Sequence, residues 1–357
     1  MTRREIAIQL TLLALLLLAG SAFHAHQKSA AMVPALVAYL DSESFRERRA
    51  AMGRLRELGS AARPAAPRLL ALSEDFRGRD AQSASGALPR IDLGAARQVV
   101  ERARAALAAV AVPAAADLSA GSVRAELDAA RRGAEILGGY GLLARPAVPE
   151  LLVAAQGRDS LLRDRALAAL GRIGVPPEDM VAVLLAALAD PVPHVRYAAV
   201  VALENMPGAV AATAIPALKA LAADPGSLVA QRAQYAVRRL AEPRDARVEI
   251  DVARYMLGRR GDVESLLYTL QRLAVLGAAA APLVGELTEL LAAAEDIVRL
   301  SAIETLAAIG PAARSALPAL RALAGTGDTV GAEAVIAAAA RYALDRIGAV
   351  APGRHGE

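Results

Sequence analysis

The chain has 357 residues, 55% of them hydrophobic and 22% charged, with a net charge of +4. That balance excludes a largely disordered chain. Opposite charges are interspersed, so no basic stripe of the kind that nucleic acid requires stands out. There is no cysteine, which excludes a disulfide framework, a thiolate zinc site and a lipidated cysteine.

Residues 1–25 open the chain with Arg3 and Arg4, an apolar run from Ile6 to Gly20, and the small residues Gly20-Ser21-Ala22. A positive start, an apolar core and a small-residue cleavage site make up an export signal. The stretch 6–23 is also just long enough to cross a bilayer, which takes about 20 apolar residues. A cleaved signal and an uncleaved membrane anchor both stay open. Either one places the rest of the chain outside the cytoplasm, in the periplasm or tethered to the membrane.

Residues 30–350 carry an internal repeat. LRELGSAARPAAPRLL ends at Leu70 and YGLLARPAVPELL ends at Leu152; each has glycine, Arg-Pro, a second proline and then leucines. Gly59, Gly141, Gly174, Gly208, Gly277 and Gly310 are equivalent points, at steps of 82, 33, 34, 69 and 33 residues. The two doubled steps each hide a weaker repeat, near Ala108 and Ala241. Glycine at these points suits the left-handed conformation that ends a helix. Pro64 and Pro146 suit the first turn of the next helix. Asp41, Asp75, Asp159, Asp190, Asp224, Asp296 and Asp328 recur in the following turn, where an aspartate can cap the second helix. In that helix Leu162, Ala166, Leu170 and Ile173 form one apolar stripe, with Arg163 and Arg165 off it.

The pattern predicts an all-α fold, a solenoid of about nine antiparallel helix pairs. The first begins near Val33 and the last ends near Ile347. LLAALADPVPHVRYAAVVALENMPG (184–208) and LLAAAEDIVRLSAIETLAAIG (290–310) resemble HEAT repeats, including their shorter variants related to phycobilisome-lyase repeats. The resemblance implies an armadillo-type superhelix with a long concave groove. Two stretches depart from the repeat. Residues 76–95, FRGRDAQSASGALPRIDLGA, are polar and turn-rich and are expected to be an inserted loop. Residues 241–262 are expected to hold a charged turn and a less regular helix. The tail, 351–357, is expected to fray.

Residues able to carry chemistry are few. Of four histidines only His194 lies in the repeats, at the start of a helix after Pro193, where exposure is the default. There is no His-Glu dipeptide of the kind that binds iron in some HEAT-like hydroxylases. Without cysteine, and with one structural histidine, no nucleophile has a base beside it. Glu249 and Asp251 stand on the charged turn and make a poor acid–base pair. Tyr140, Tyr197, Tyr255 and Tyr342 read as packing residues. Arg48, Arg163, Arg196 and Arg299 recur near the starts of second helices, as Asp190 and Asp296 do in the turns. They form either a row of guanidinium groups for an acidic partner or an Asp–Arg ladder between repeats.

The expected function is therefore a non-enzymatic protein–protein interaction scaffold in the cell envelope. Its partner would be a protein or peptide, not nucleic acid, and no cofactor or metal is implied. Two alternatives stay open. One is a lyase-like chaperone for a small chromophore or cofactor, which would need a deep apolar pocket near 76–95 or 241–262. The other is a structural spacer with no specific ligand.

Overall fold

The computed structural model describes residues 32–74, 78, 80–110, 121–173, 178–206, 213–223, 227–241, 246–258, 263–325 and 331–348. The leader 1–25, the tail 351–357, Gly174 and Gly208 of the repeat, and Asp75, Asp224 and Asp328 lie outside these residues.

Among the described residues every regular element is helical, and the α-helices fall into nine pairs. They are α1 (32–39) with α2 (Phe45–Leu58), α3 (Ala66–Leu72) with α4 (Ala81–Ile91), and α5 (Leu93–Val110) with α6 (Gly121–Tyr140). Next come α7 (Val148–Ala154) with α8 (Ser160–Ile173), α9 (Glu178–Ala187) with α10 (Pro193–Glu204), and α11 (Ile215–Ala222) with α12 (Leu228–Ala241). The last are α13 (Ala246–Gly258) with α14 (Val263–Leu276), α15 (Val284–Glu289) with α16 (Asp296–Ile309), and α17 (Leu317–Ala324) with α18 (Ala332–Gly348). The expected solenoid of about nine pairs is therefore the observed architecture.

The joints follow from the repeat residues. Gly59, Gly141, Gly277 and Gly310 all have φ between +53° and +69°, a region that side chains with a Cβ avoid. Each opens a seven-residue 3-10 turn into the next pair. Pro64 and Pro146 lie inside those turns, and the first helical turns beyond are held by Pro67 and Pro149. The caps are more varied than a row of aspartates. Asp159 accepts from the Leu162 amide at 2.7 Å, but Ser44 caps α2 and Ser227 accepts from the Ala230 amide at 3.0 Å. Asp41 is drawn instead to Arg68, and Asp296 sits in the first turn of α16.

The even helices stack neighbour on neighbour from α2 to α12, and again from α14 to α18. Leu55, Leu88, Leu137, Leu167, Leu203, Leu270 and Leu306, one on each of seven even helices, are fully buried. Burying each such side chain contributes about 1.5–3 kcal/mol, so the leucine stripes, not the surface charges, hold the stack together. Small residues set the spacing. A Cβ on Gly171 of α8 would lie 2.5 Å from the Ala202 Cα of α10, so the two backbones meet directly.

Two expectations are corrected. Most of the stretch expected to be a loop is helical: Ala81–Ile91 is helix α4, with Ala81, Ala84, Leu88 and Ile91 buried. Those four are spaced 3, 4 and 3 and fill the site between α2 and α6, and packing there outweighs the weak helix propensity of Ser83, Ser85, Gly86 and Pro89. Likewise 246–258 is a regular helix, α13, so Glu249 and Asp251 stand on a helix and not on a turn.

The superhelix also curls more tightly than an open groove. Pairs seven to nine lie over pairs one to three, six repeats on. Arg56 of α2 meets Glu264 of α14 at 3.2 Å, and Arg63 meets Asp296 of α16 at 2.9 Å. Arg145 stacks on the Tyr342 ring of α18, 3.2 Å from its centroid. At Gly94 of α5 an added Cβ would lie 2.8 Å from the Gly331 Cα, so a second close backbone approach joins the turns. Arg63 and Arg145 belong to the repeated Gly…Arg-Pro motif, which thus supplies both the turn between pairs and a bond between superhelical turns.

Candidate functional site

Two clusters of polar residues compete for the role of site. The first is a ladder along the stack. Arg163 donates through Nε and Nη2 to Asp190 at 2.8 and 3.0 Å, and through Nη1 to the Gly157 and Arg158 carbonyls at 3.0 and 2.9 Å. Arg48 grips the Ser42 and Glu43 carbonyls in the same way and reaches Asp80 at 2.8 Å. Arg196 holds the Asp190 and Pro191 carbonyls at 2.7 and 3.0 Å. Arg299 bonds Asp296 at 2.6 Å and Glu333 of the next pair at 2.7 Å. Arg131 joins the series through Asp159 at 2.6 Å; it lies 28 residues before its aspartate, as Arg163 lies 27 before Asp190, and that spacing was the available signal.

Arg48, Arg163 and Arg196 each close the turn that precedes their own helix, and Arg48, Arg131, Arg163 and Arg299 reach a carboxylate near the next even helix. Burial works to raise the Asp190 carboxyl, but hydrogen bonds from Arg163 and the Val192 amide leave it below its ordinary value. Asp159 is lowered in the same way against burial, by Arg131 and the Leu162 amide. Each ladder arginine is thus engaged within the stack, although Asp80 Oδ1 and Arg299 Nε are buried there without a hydrogen-bond partner.

The second cluster lines a cavity of about 620 Å³ on the superhelix axis. The C-terminal ends of α2, α4, α6, α8 and α12 converge there on the middle of α14 and α16. Arg56, Arg90, Arg172, Arg239 and Arg272 line it, with Glu304 the one carboxylate among the lining residues. None of Arg48, Arg163, Arg196, Arg299, Asp190 or Asp296 does, and no described residue of 241–262 does either. From 76–95 come Gly86, Pro89 and Arg90. The wall sets these arginines among apolar residues such as Leu267, Val275 and Leu300, so it is cationic as well as apolar.

Sequence reasoning passed over Arg56, Arg90, Arg172 and Arg239 because each looks like an ordinary helix end, and over Arg272 because it lies inside a helix. Arg56 and Arg172 fall three and two residues before a repeat glycine, in the last turn of an even helix. That register was the signal, since even helices face the axis. Glu304 keeps a partial opening to the cavity but is surrounded by protein. Burial pushes its carboxyl up to about 8, against the Arg145 charge, and it makes no hydrogen bond or ion pair with another described residue.

Tyr140 shows how the wall is braced. Pro89 lacks the N–H that would bond the Ser85 carbonyl one helical turn earlier. The Tyr140 hydroxyl donates to that carbonyl at 2.8 Å, and burial pushes the phenol pKa up. Replacing Tyr140 with phenylalanine leaves a buried carbonyl unsatisfied and is expected to cost about 2 kcal/mol in chemical denaturation. A loss below about 0.5 kcal/mol would show that the carbonyl finds another donor.

Among the described residues no group of three or more His, Cys, Asp or Glu side chains is placed to hold a metal ion. A model of HEAT repeats matches residues 148–238. No curated protein matches the chain. Among solved structures, an engineered protein is 18% identical, covering 58% of this chain and 98% of that one, at a TM-score of 0.35. The karyopherin Kap121p, bound to the extreme C-terminus of the phosphatase Cdc14p, is 15% identical over 89% of this chain and 38% of its own, at 0.41. Human deoxyhypusine hydroxylase in complex with glycerol is 25% identical over 71% and 96%, at 0.30. Residues 148–238, from α7 to α12, are HEAT repeats.

Proposed function

We propose that the chain is a non-enzymatic interaction scaffold that receives a protein or peptide segment inside its superhelix. The observation that carries this reading is the division of labour among the arginines. Those of the ladder are spent on stacking, whereas those of the cavity wall are only partly neutralised. The HEAT repeats of 148–238 agree with a scaffold role. The test is a photo-crosslinking residue placed at Gln271 on the cavity wall or at Gln98 on the exposed side of α5. Adducts with a partner are expected from position 271 and not from 98. Adducts from 98 alone, or equally from both, would move the binding surface outside.

The scaffold is further proposed to be exported, on the strength of Arg3, Arg4 and the apolar run from Ile6 to Gly20. A full-length fusion to a reporter active only outside the cytoplasm should give signal, and a silent fusion would reject export.

A further inference from the structure

We infer that the cavity binds an acidic peptide segment, with Arg90 of α4 and Arg172 of α8 as its principal carboxylate ligands. The inference rests on the reading of the interior as the binding surface and adds the chemistry of what enters.

Start with the charges. Arg272 is held by Glu249 at 2.8 Å, and Arg239 shares the buried Glu204 with Arg232 at 3.6 Å. Arg56 meets Glu264 at the rim, where both side chains are exposed. Arg90 and Arg172 have no carboxylate partner among the described residues. The wall therefore carries unneutralised guanidinium charge, each group a planar fork suited to two carboxylate oxygens. A cation in the last turn of a helix is also favoured by the helix dipole, and that alone could place Arg90 and Arg172. It does not account for the space in front of them.

Two glycines speak to that space. Gly138 of α6 is explained by packing: a Cβ there would lie 3.2 Å from the Ala169 Cα and from Arg172 Nη1. Gly86 of α4 and Gly139 of α6 also line the cavity, yet nothing lies within 4 Å of a Cβ added to either. Glycine inside a helix is unfavourable, so an alanine there would be tolerated by the fold. Both positions instead leave the wall open beside the two unpaired arginines. Opposite them, Tyr268 of α14 is 65% exposed and presents an aromatic face to the same space.

The occupant follows from the spread of the cations. The five arginines come from five different helices, so their charges are distributed round the wall. A single phosphate needs several donors converging on one point. A chain with a carboxylate on successive residues matches distributed forks, and its backbone can lie along Gly86 and Gly139. The volume falls within the range of about 300–1,000 Å³ that ligand pockets occupy.

The test is fluorescence anisotropy of fluorescein-labelled hexaglutamate with the purified full chain at low salt, with hexaglutamine as the neutral control. Hexaglutamate should bind, hexaglutamine should not, and added salt should weaken the complex. The Arg90→Gln/Arg172→Gln double variant should bind at least tenfold more weakly, and Arg97→Gln, on the exposed side of α5, should bind like the parent. Gly139→Leu fills the cavity and improves helix propensity, so it should lose binding without a lower melting temperature. Equal binding of both peptides, or a double variant as tight as the parent, would overturn the assignment of ligand. So would pyrophosphate binding without hexaglutamate binding, in favour of a small phosphate. Unchanged affinity in Gly139→Leu would overturn the interior itself, whereas crosslinks from position 271 without hexaglutamate binding would leave the interior and reject only the acidic segment.

Discussion

Gly171→Ala is expected to destabilise the fold by about 3 kcal/mol, although alanine is the better helix former by about 1 kcal/mol. The added Cβ would lie 2.5 Å from the Ala202 Cα and 2.8 Å from its Cβ. Backbone cannot yield as a flexible side-chain end can, so α8 must move off α10. Leu167, Leu170, Val195, Ala199 and Leu203 are all buried around this crossing, and their contacts loosen together. The strain therefore exceeds the gain in propensity. Urea unfolding of parent and variant measures the difference. The same substitution at Gly139, with nothing within 4 Å, has only the propensity gain, so the two variants should move in opposite directions. A stabilised Gly171→Ala would mean that the helices do not cross as closely as described.

The contrast between these two glycines marks how much of the molecule was legible in the sequence. The repeat was legible because its residues act locally. Positive φ at Gly59, Gly141, Gly277 and Gly310 is a property of single positions, and glycine is the residue that tolerates it. Helix α4 was hidden because Ser83, Ser85, Gly86 and Pro89 favour turns, while its apolar stripe is made largely of alanines, which seldom stand out. Only burial between α2 and α6 turns that stripe into a packing face. The cavity was less legible still. Arg63 and Asp296 are 233 residues apart, and their meeting depends on small rotations accumulated over six repeats, which no local pattern reports. The ladder and the cavity arginines look alike in sequence. They differ in register: four of the five ladder arginines fall in the first turns of even helices, and four of the five wall arginines fall in the last.

Glu304→Gln is expected to stabilise the protein by about 4 kcal/mol at pH 8 and to leave it unchanged near pH 4. The cause is the cost of the charge. In the unfolded chain the carboxyl titrates near 4.5, and in the folded protein burial raises it to about 8. Between those values the unfolded chain has released the proton and the native state retains it, so native stability falls as pH rises through the window. Below 4.5 both states are protonated and nothing is lost; above about 8 both are ionised and the full cost persists. One pH unit is worth about 1.36 kcal/mol, which makes the loss about 4–5 kcal/mol across the window. Glutamine keeps the shape without the titration and should escape it. Unfolding free energies of parent and variant at pH 4, 6 and 8 should therefore differ by about 0, 2 and 4 kcal/mol. A constant difference across that range would show that Glu304 stays ionised, held by Arg145 after all. The protonated carboxyl has a consequence for the interior as well. A charged Glu304 would cancel part of the field of the wall arginines, whereas a neutral one leaves that field intact near pH 7 and adds an O–H that can donate to an incoming carboxylate.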